Sequence, residues 1–335
     1  MARNTPLIVE NASYYVEGVS QPYLCVCQND DEYTIFLETL EETIQKYEWT
    51  LHAFSLTPEA YYLLVDTPHD NLPECMRYFQ GTYSNRIHRR RNTCGHFFKP
   101  YAAKLIETTG ENLASVSTAV HLKPIRKRSI TDQQKALIEN PYSSFSLYIS
   151  PSERPAWLSV QPVLNALGFP DNRSGLTCYR NLLIKLLAEG SVTAGSVQLH
   201  KQNKALQTDW AIGSNAFKDS ILDLLGEKLK RVSIDSIPIA MKNAYQLRHA
   251  EQQLHIAMDA VGLTGENLED LKKQDPRKQA VCWYMKRETH AASPWLAQRL
   301  HIGIPSGISR FVRNVEEAID GPLLDLRNTL EKITP

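Results

Sequence analysis

Net charge is the first thing this sequence lacks. Its 37 Lys and Arg balance 37 Asp and Glu, which excludes a strongly cationic field over the whole protein and confines any nucleic-acid surface to local patches. Long apolar runs are also missing: no stretch of 18 apolar residues occurs, so no transmembrane helix is expected. Met1-Ala2-Arg3-Asn4-Thr5-Pro6 has no apolar core of the signal-peptide kind, and a cytoplasmic location is expected. The six cysteines (Cys25, Cys27, Cys75, Cys94, Cys178, Cys282) include no CxxC pair. Reduced, mostly buried thiols are expected, with a zinc site from Cys25, Cys27, Cys75 and Cys94 the minor alternative. What is present is ordinary globular material. Hydrophobic residues make up 42% and charged residues 22% of 335, enough for two or three domains with cores.

The most informative stretch runs from Leu56 to Pro68. Its periodicity predicts a half-buried strand entered through Thr57-Pro58 and closed by Thr67-Pro68. Residues two apart on a strand share a face, so Ala60 and Tyr62 point one way and Tyr61 and Leu63 the other. Around it, strands are expected at 8–18, with Tyr14-Tyr15-Val16 at the centre, at 23–27 and at 49–56. Asn29 should cap a helix whose stripe is Tyr33, Phe36, Leu37, Leu40, Ile44 and Tyr47. Asn71, Pro73 and Glu74 should open another with a capping box, running to about Arg91 on the stripe Leu72, Cys75, Met76, Phe79, Tyr83 and Ile87. This order predicts an α+β sandwich of ferredoxin-like type over residues 1–150.

Later residues read as helical. Helices are expected at 160–167, 176–188 and 216–231, making 151–232 a helical extension. A linker is expected at 233–241, and further helices near 242–261, 265–273 and 276–289. Ser293 to Leu300, the turn Gly303-Ile304-Pro305-Ser306-Gly307 and Ile308 to Val315 have the layout of a helix-turn-helix with a longer turn than usual, which defines a domain over 242–335.

Several short motifs fall in a telling order: Leu56, Pro58, Tyr61, Leu63 and Leu64; Gly95-His96-Phe97-Phe98-Lys99; His121-Leu122-Lys123-Pro124-Ile125-Arg126; Tyr142-Ser143-Ser144-Phe145; and Pro155-Ala156-Trp157-Leu158. Together they resemble the single-strand tyrosine transposases of insertion sequences and their REP-associated relatives, over residues 1 to about 160. In that family the strand reads Leu-Met-Pro-Asn-His-Tyr-His-Leu-Leu, and its two His hold a divalent metal. Here Ala60 and Tyr62 stand in their places, Glu59 replaces the Asn, and Tyr15 replaces a third His. The family's His-Leu-Asn-Pro-Val-Arg appears with Lys123 for Asn. Alanine has no donor atom, and a neutral phenol is a poor ligand for a hard cation. The resemblance therefore implies the frame of a nuclease without its metal ligands. The C-terminal layout resembles the DNA-binding domain of the bacterial replication initiator.

The resemblance implies that Tyr83 occupies the nucleophile position, where a phenolate would attack a phosphodiester and keep a 5′-phosphotyrosine. Tyr83 also lies on an apolar stripe, which reads as packing. Two basic groups are expected to contact DNA: Arg86, His88, Arg89, Arg90 and Arg91 with Lys99 and Lys104 beyond, and Lys123, Arg126, Lys127 and Arg128. In the C-terminal module Arg299, Ser306, Ser309, Arg310 and Arg313 are the candidate contacts. The expected function is a catalytically degenerate DNA-binding protein that occupies duplex or hairpin DNA as a transcription regulator, with no cofactor and no membrane partner. The alternative is a working transposase or nickase with Tyr83 as nucleophile and magnesium or manganese held by Glu59, Glu17 and His88. An RNA-binding or assembly role has no residue pattern in its favour.

Overall fold

A computed structural model of the chain describes residues 9–108, 112–125, 130–188, 209–229, 239–265 and 267–333. The chain divides into two compact units, residues 1–238 and 239–335.

The first unit is built on a sheet. β1 (Ala12–Val19), α1 (Asp30–Tyr47), β2 (Thr50–Leu56), β3 (Ala60–Thr67), α2 (Leu72–Arg91) and β4 (Ala102–Ile106) follow in order. The strands lie in the order β2-β3-β1-β4, all antiparallel, which is the α+β arrangement expected from the alternation of elements. A two-residue strand, β5 (Ala211–Ile212), adds to β4 in parallel. α3 (Asn112–Leu122), α4 (Ile130–Glu139), α5 (Ser144–Ile149), α6 (Gln161–Ala166), α7 (Arg173–Ala188) and α8 (Asn215–Leu229), with a 3-10 turn at Pro151–Glu153, complete the described elements of this unit.

Both faces of the sheet are covered. Tyr61 packs against Phe36 of α1 and Phe79 of α2, with ring centroids 5.7 and 5.4 Å apart. That ring has room because its cross-strand partner is Gly18: a Cβ there would sit 2.1 Å from the Tyr61 ring. On the opposite face Ser55 Oγ donates to the Val120 carbonyl of α3 at 2.6 Å. Behind α3, buried His121 bonds the Tyr179 hydroxyl through Nδ1 (2.9 Å) and Ser144 Oγ through Nε2 (2.8 Å), tying α3 to α7 and α5.

Local sequence signals explain most of the element ends. Asn29 caps α1 by accepting from the Glu32 N–H, while the Glu32 carboxylate reaches back past the cap to accept from the Gln28 N–H at 2.7 Å, a variant of the capping box. The box expected at Asn71 does not form: its side-chain amide donates to the Tyr47 carbonyl instead, which joins two helices. The strand expected at 23–27 is also absent. The Leu24 N–H closes a turn on the Gln21 carbonyl, and Pro22-Tyr23 forms its corner. Of the six thiols only Cys75 and Cys282 are buried; Cys94 and Cys178 are exposed, against the expectation of mostly buried cysteines.

The second unit is all helical as described: α9 (Ile239–Ala260), α10 (Pro276–Glu288), α11 (Ser293–Arg299), α12 (Gly307–Glu316) and α13 (Gly321–Glu331). α10 is its centre, with Ala280 to Met285 buried against Leu254, Leu296, Leu300, Ile308, Phe311 and Val315. The helix expected at 265–273 does not form over the described residues 267–273, which are turns and bends. The buried Lys278 ammonium draws the carbonyls of Leu268 and Leu271 toward itself, at 2.7 and 3.4 Å. No described helix is long and apolar enough to cross a membrane.

Candidate functional site

The face of the sheet under α3 carries Ala60, Tyr62 and Tyr15. β1 and β3 are in register with Glu17 opposite Tyr62, Tyr15 opposite Leu64 and Val19 opposite Ala60, and β4 adds Lys104 opposite Tyr15. Side chains at these positions share one face. The Tyr15 and Tyr62 rings stack with centroids 6.4 Å apart. Lys123, the first residue after α3, lays its ammonium 4.7 Å from the Tyr62 ring centroid and 5.8 Å from that of Tyr15, a cation–π arrangement. Tyr15 Oη donates to the Glu17 carboxylate at 3.3 Å. Lys104 Nζ donates to the Asp209 carbonyl; burial holds this ammonium below its ordinary pKa, with Asp209 and Glu17 opposing the shift. Ala60, Tyr62 and Tyr15 are all buried.

Tyr83 lies elsewhere. It projects from α2 into the core on the other face of the sheet, among Phe36, Phe79, Phe97 and Phe98. It is fully buried, its hydroxyl donates to the Val26 carbonyl, and burial pushes its pKa well above the ordinary phenol value. In this chain Tyr83 is a core residue, separated by the sheet from Ala60 and Tyr62. The substitute ligands considered from sequence are likewise dispersed. Glu17 is beside Tyr62, Glu59 is exposed in the β2–β3 turn, and His88 ends α2, held by Thr93 Oγ1 at 2.8 Å and the Gly95 carbonyl at 3.0 Å. Among the described residues no group of three or more His, Cys, Asp and Glu side chains gathers at metal-binding distance.

The basic run on α2 is largely occupied by the acids of α1. Arg86 Nη2 donates to both Glu42 carboxylate oxygens at 2.7 and 2.9 Å, its Nη1 donates to Thr39 Oγ1 at 2.8 Å, and Arg90 pairs with Asp31. Arg91 pairs with Glu32 at 2.6 Å and donates to the Cys25 carbonyl at 2.9 Å, with side-chain exposures of 12% and 2% for the two partners. Burial would raise the Glu32 carboxyl, but the Arg91 hydrogen bond and the Gln28 N–H outweigh it, and the pKa lies below the usual value. These three arginines hold α1 and α2 together. Arg89 and Lys99 are exposed. Arg126, Lys127 and Arg128 lie outside the described residues.

In the second unit the polar candidates sit on one helix face. Ile308, Phe311 and Val315 anchor α12 in the core, while Ser309, Arg310 and Arg313 are exposed on the other side. This 3–4 spacing is why one short helix presents two chemistries. Asn314 donates to Gln279 of α10 at 2.9 Å, and Arg327 of α13 donates to the carbonyls of Val315 and Glu316 at the end of α12. Ser306 is exposed just before the helix; Arg299, on α11, is drawn back by Glu251 of α9. An open basin of 420 Å³ beside the α11–α12 turn is lined in part by Lys273, Gln298 and His301, which the sequence reading did not single out.

No protein-family model and no curated protein matches the chain. A solved structure, described as "Structure of the REP associates tyrosine transposase bound to a REP hairpin", is similar at 9% identity and a TM-score of 0.38, over 48% of this chain and 92% of that one. Likeness at that level fixes no side chain of this protein.

Proposed function

We propose that the protein binds DNA through α12 and does not cleave it. The observation that carries this reading is the two-sided build of α12: an apolar face locked on α10, and an exposed face bearing Ser309, Arg310 and Arg313, with α11 preceding it across the turn at 300–306. A helix-turn-helix presents such a face when its second helix enters the major groove, which supports this reading. Arginine on such a face reads guanine edges or holds phosphate, and serine holds phosphate. The basin lined by Lys273 and His301 lies beside the same turn, where backbone phosphate would pass.

The sheet unit supports binding without chemistry. In the resembling family an imidazole pair serves cleavage; Ala60 and Tyr62 stand at the matching sequence positions, with the Lys123 ammonium over the Tyr62 ring. A fixed cation there disfavours a second one. The protein then acts by occupancy of its DNA site, as a transcription regulator does. Selection of bound sequences from a random duplex pool, followed by anisotropy titrations of the native chain and Arg310→Ala, tests the reading. A preferred sequence whose affinity depends on Arg310 is expected; equal affinity of the two chains for every duplex would refute it.

A further inference from the structure

The basin beside the α11–α12 turn is bounded on one side by a lysine that no acid holds in place. Lys273 comes from the segment between α9 and α10, and its side chain lies flat over Gly303: a Cβ there would sit 3.2 Å from Nζ, 3.5 Å from Cε and 3.7 Å from Cδ. Gly303 has φ of 92°, so the turn needs glycine for its backbone as well as for the space. Arg277 on α10 and Arg299 on α11 are paired, with Asp275 and Glu251. Lys273 has no carboxylate partner among the described residues.

His301 lines the same basin from the end of α11. It has φ of 51°, its N–H reaches the Gln298 carbonyl at 3.4 Å, and the Ile302 N–H reaches the Ala297 carbonyl at 3.0 Å. This is the Schellman ending of a helix, whose left-handed position ordinarily holds Gly or Asn. The Glu269 carboxylate is 3.8 Å from Nδ1, and both side chains are well exposed, at 75% and 47%, so this pair is weak. Gln298 adds an amide to the lining, and Pro294, Ala297 and Pro305 add apolar surface.

An ammonium, an imidazole and an amide around one concavity, with apolar surface between them, suit a small molecule that carries an oxyanion on a short carbon body. A phosphate monoester matches these donors: its three terminal oxygens accept from several directions, and its charge strengthens each bond. The 420 Å³ volume lies in the range of small-ligand pockets. We propose that the basin binds a small phosphate monoester and that its occupancy displaces duplex DNA from α12. Pro305 lines the basin and α12 begins two residues later, so a bound phosphate lies against the turn that leads into the helix and repels an incoming DNA backbone. The displacement rests on the α12 reading above; the ligand site does not.

The test uses the full chain. Calorimetry with glycerol 3-phosphate, at constant ionic strength, should give saturable binding, and succinate should give none. Lys273→Gln changes an exposed side chain, and His301→Asn keeps a residue suited to the left-handed position. Each should weaken glycerol 3-phosphate by about 10-fold at an unchanged melting temperature. Glu269→Gln removes the opposing carboxylate and should tighten it. Labelled duplex bound to the native chain should be released as glycerol 3-phosphate is added, and release from Lys273→Gln should need about 10-fold more. Affinity for the ester that survives Lys273→Gln, or equal binding of succinate, overturns the site. Ester binding that leaves the bound duplex in place overturns the displacement. A native chain with no duplex affinity refutes the reading of α12, and the ester titrations then still decide the basin.

Discussion

The ammonium of Lys123 lies 4.7 Å from the ring centroid of Tyr62. Lys123 follows α3 directly and Tyr62 lies on β3, an interior strand, so the contact also ties the end of α3 to the sheet.

Restoring ligands alone should therefore fail. Ala60→His with Tyr62→His is expected to bind no manganese by calorimetry while Lys123 is present. Adding Lys123→Asn removes the competing charge, and this triple variant should bind the ion. Neither variant should cut hairpin DNA, since Tyr83 is on the other face of the sheet. A covalent protein–DNA adduct that disappears with Tyr83→Phe would refute this.

The arginines of α2 should separate by role. Arg91→Ala leaves Glu32 charged, buried and unpaired, and should cost about 3 kcal/mol in urea unfolding. Arg89→Ala should change stability little, because Arg89 is exposed. If the α2 end also follows a DNA backbone, Arg89→Ala with Lys99→Ala should flatten the salt dependence of binding by about two counterions. An unchanged slope would place this end in solvent.

Acid should weaken the sheet unit in two separate windows. Burial lowers the His121 pKa from 6.5 to about 3. The unfolded chain therefore takes up a proton below pH 6.5 that the folded chain refuses. This contribution is intact above pH 6.5 and falls with pH, by about 2 kcal/mol between pH 7 and 5. His121→Phe should flatten that slope, whatever its effect on stability at neutral pH. Asp66 differs. Burial alone would raise it, but His52 Nε2 at 2.7 Å, its charge, and the Ser13 hydroxyl hold it below its ordinary value. Its contribution is present above the unfolded carboxylate value and is lost as pH falls through the folded one, below about pH 4. Asp66→Asn should remove only the lower window.

The sheet unit was legible where local rules decide. Alternation at Leu56–Thr67 fixed which residues share a face, and Asn29 announced its helix. Where long-range contacts decide, the sequence was silent. Arg86, Arg90 and Arg91 read as a phosphate cradle because nothing local shows that Glu42, Asp31 and Glu32, on a helix some 50 residues earlier, occupy them. Asn71 looked like a cap, but the Tyr47 carbonyl was the better partner. Tyr83 was ambiguous between nucleophile and packing because a stripe gives a helix face, not the sheet face it meets. One missed signal was partly readable: Pro22 is the favoured second residue of a turn, although Tyr23 in the place of glycine or asparagine conceals it. In the second unit the 3–4 spacing of Ile308, Phe311 and Val315 already separated the apolar face of α12 from Ser309, Arg310 and Arg313.

That separation gives the sharpest test of the second unit. Residues 239–335 have their own core, centred on Ala280 to Met285 with Leu254, Leu296, Ile308 and Phe311, so the isolated fragment should fold cooperatively. Three of its arginines should then behave differently. Arg310 is exposed on the free face of α12, and Arg310→Ala should cost about 1–3 kcal/mol, concentrated at one base pair of the preferred site. Arg313 is one turn further from the helix start, where the backbone passes; Arg313→Ala should weaken all duplexes alike and lower the salt slope by about one. Arg299 is held by Glu251 on α9, so Arg299→Ala should weaken binding least of the three. The full chain should discriminate sites better than the fragment, because a tether makes the second contact intramolecular. Titrating the three variants against a panel of single-base changes at two salt concentrations resolves all of this. A fragment that folds yet binds no duplex, with full-chain affinity indifferent to Arg310, would move DNA recognition to the sheet unit and leave α12 as a surface for a protein partner.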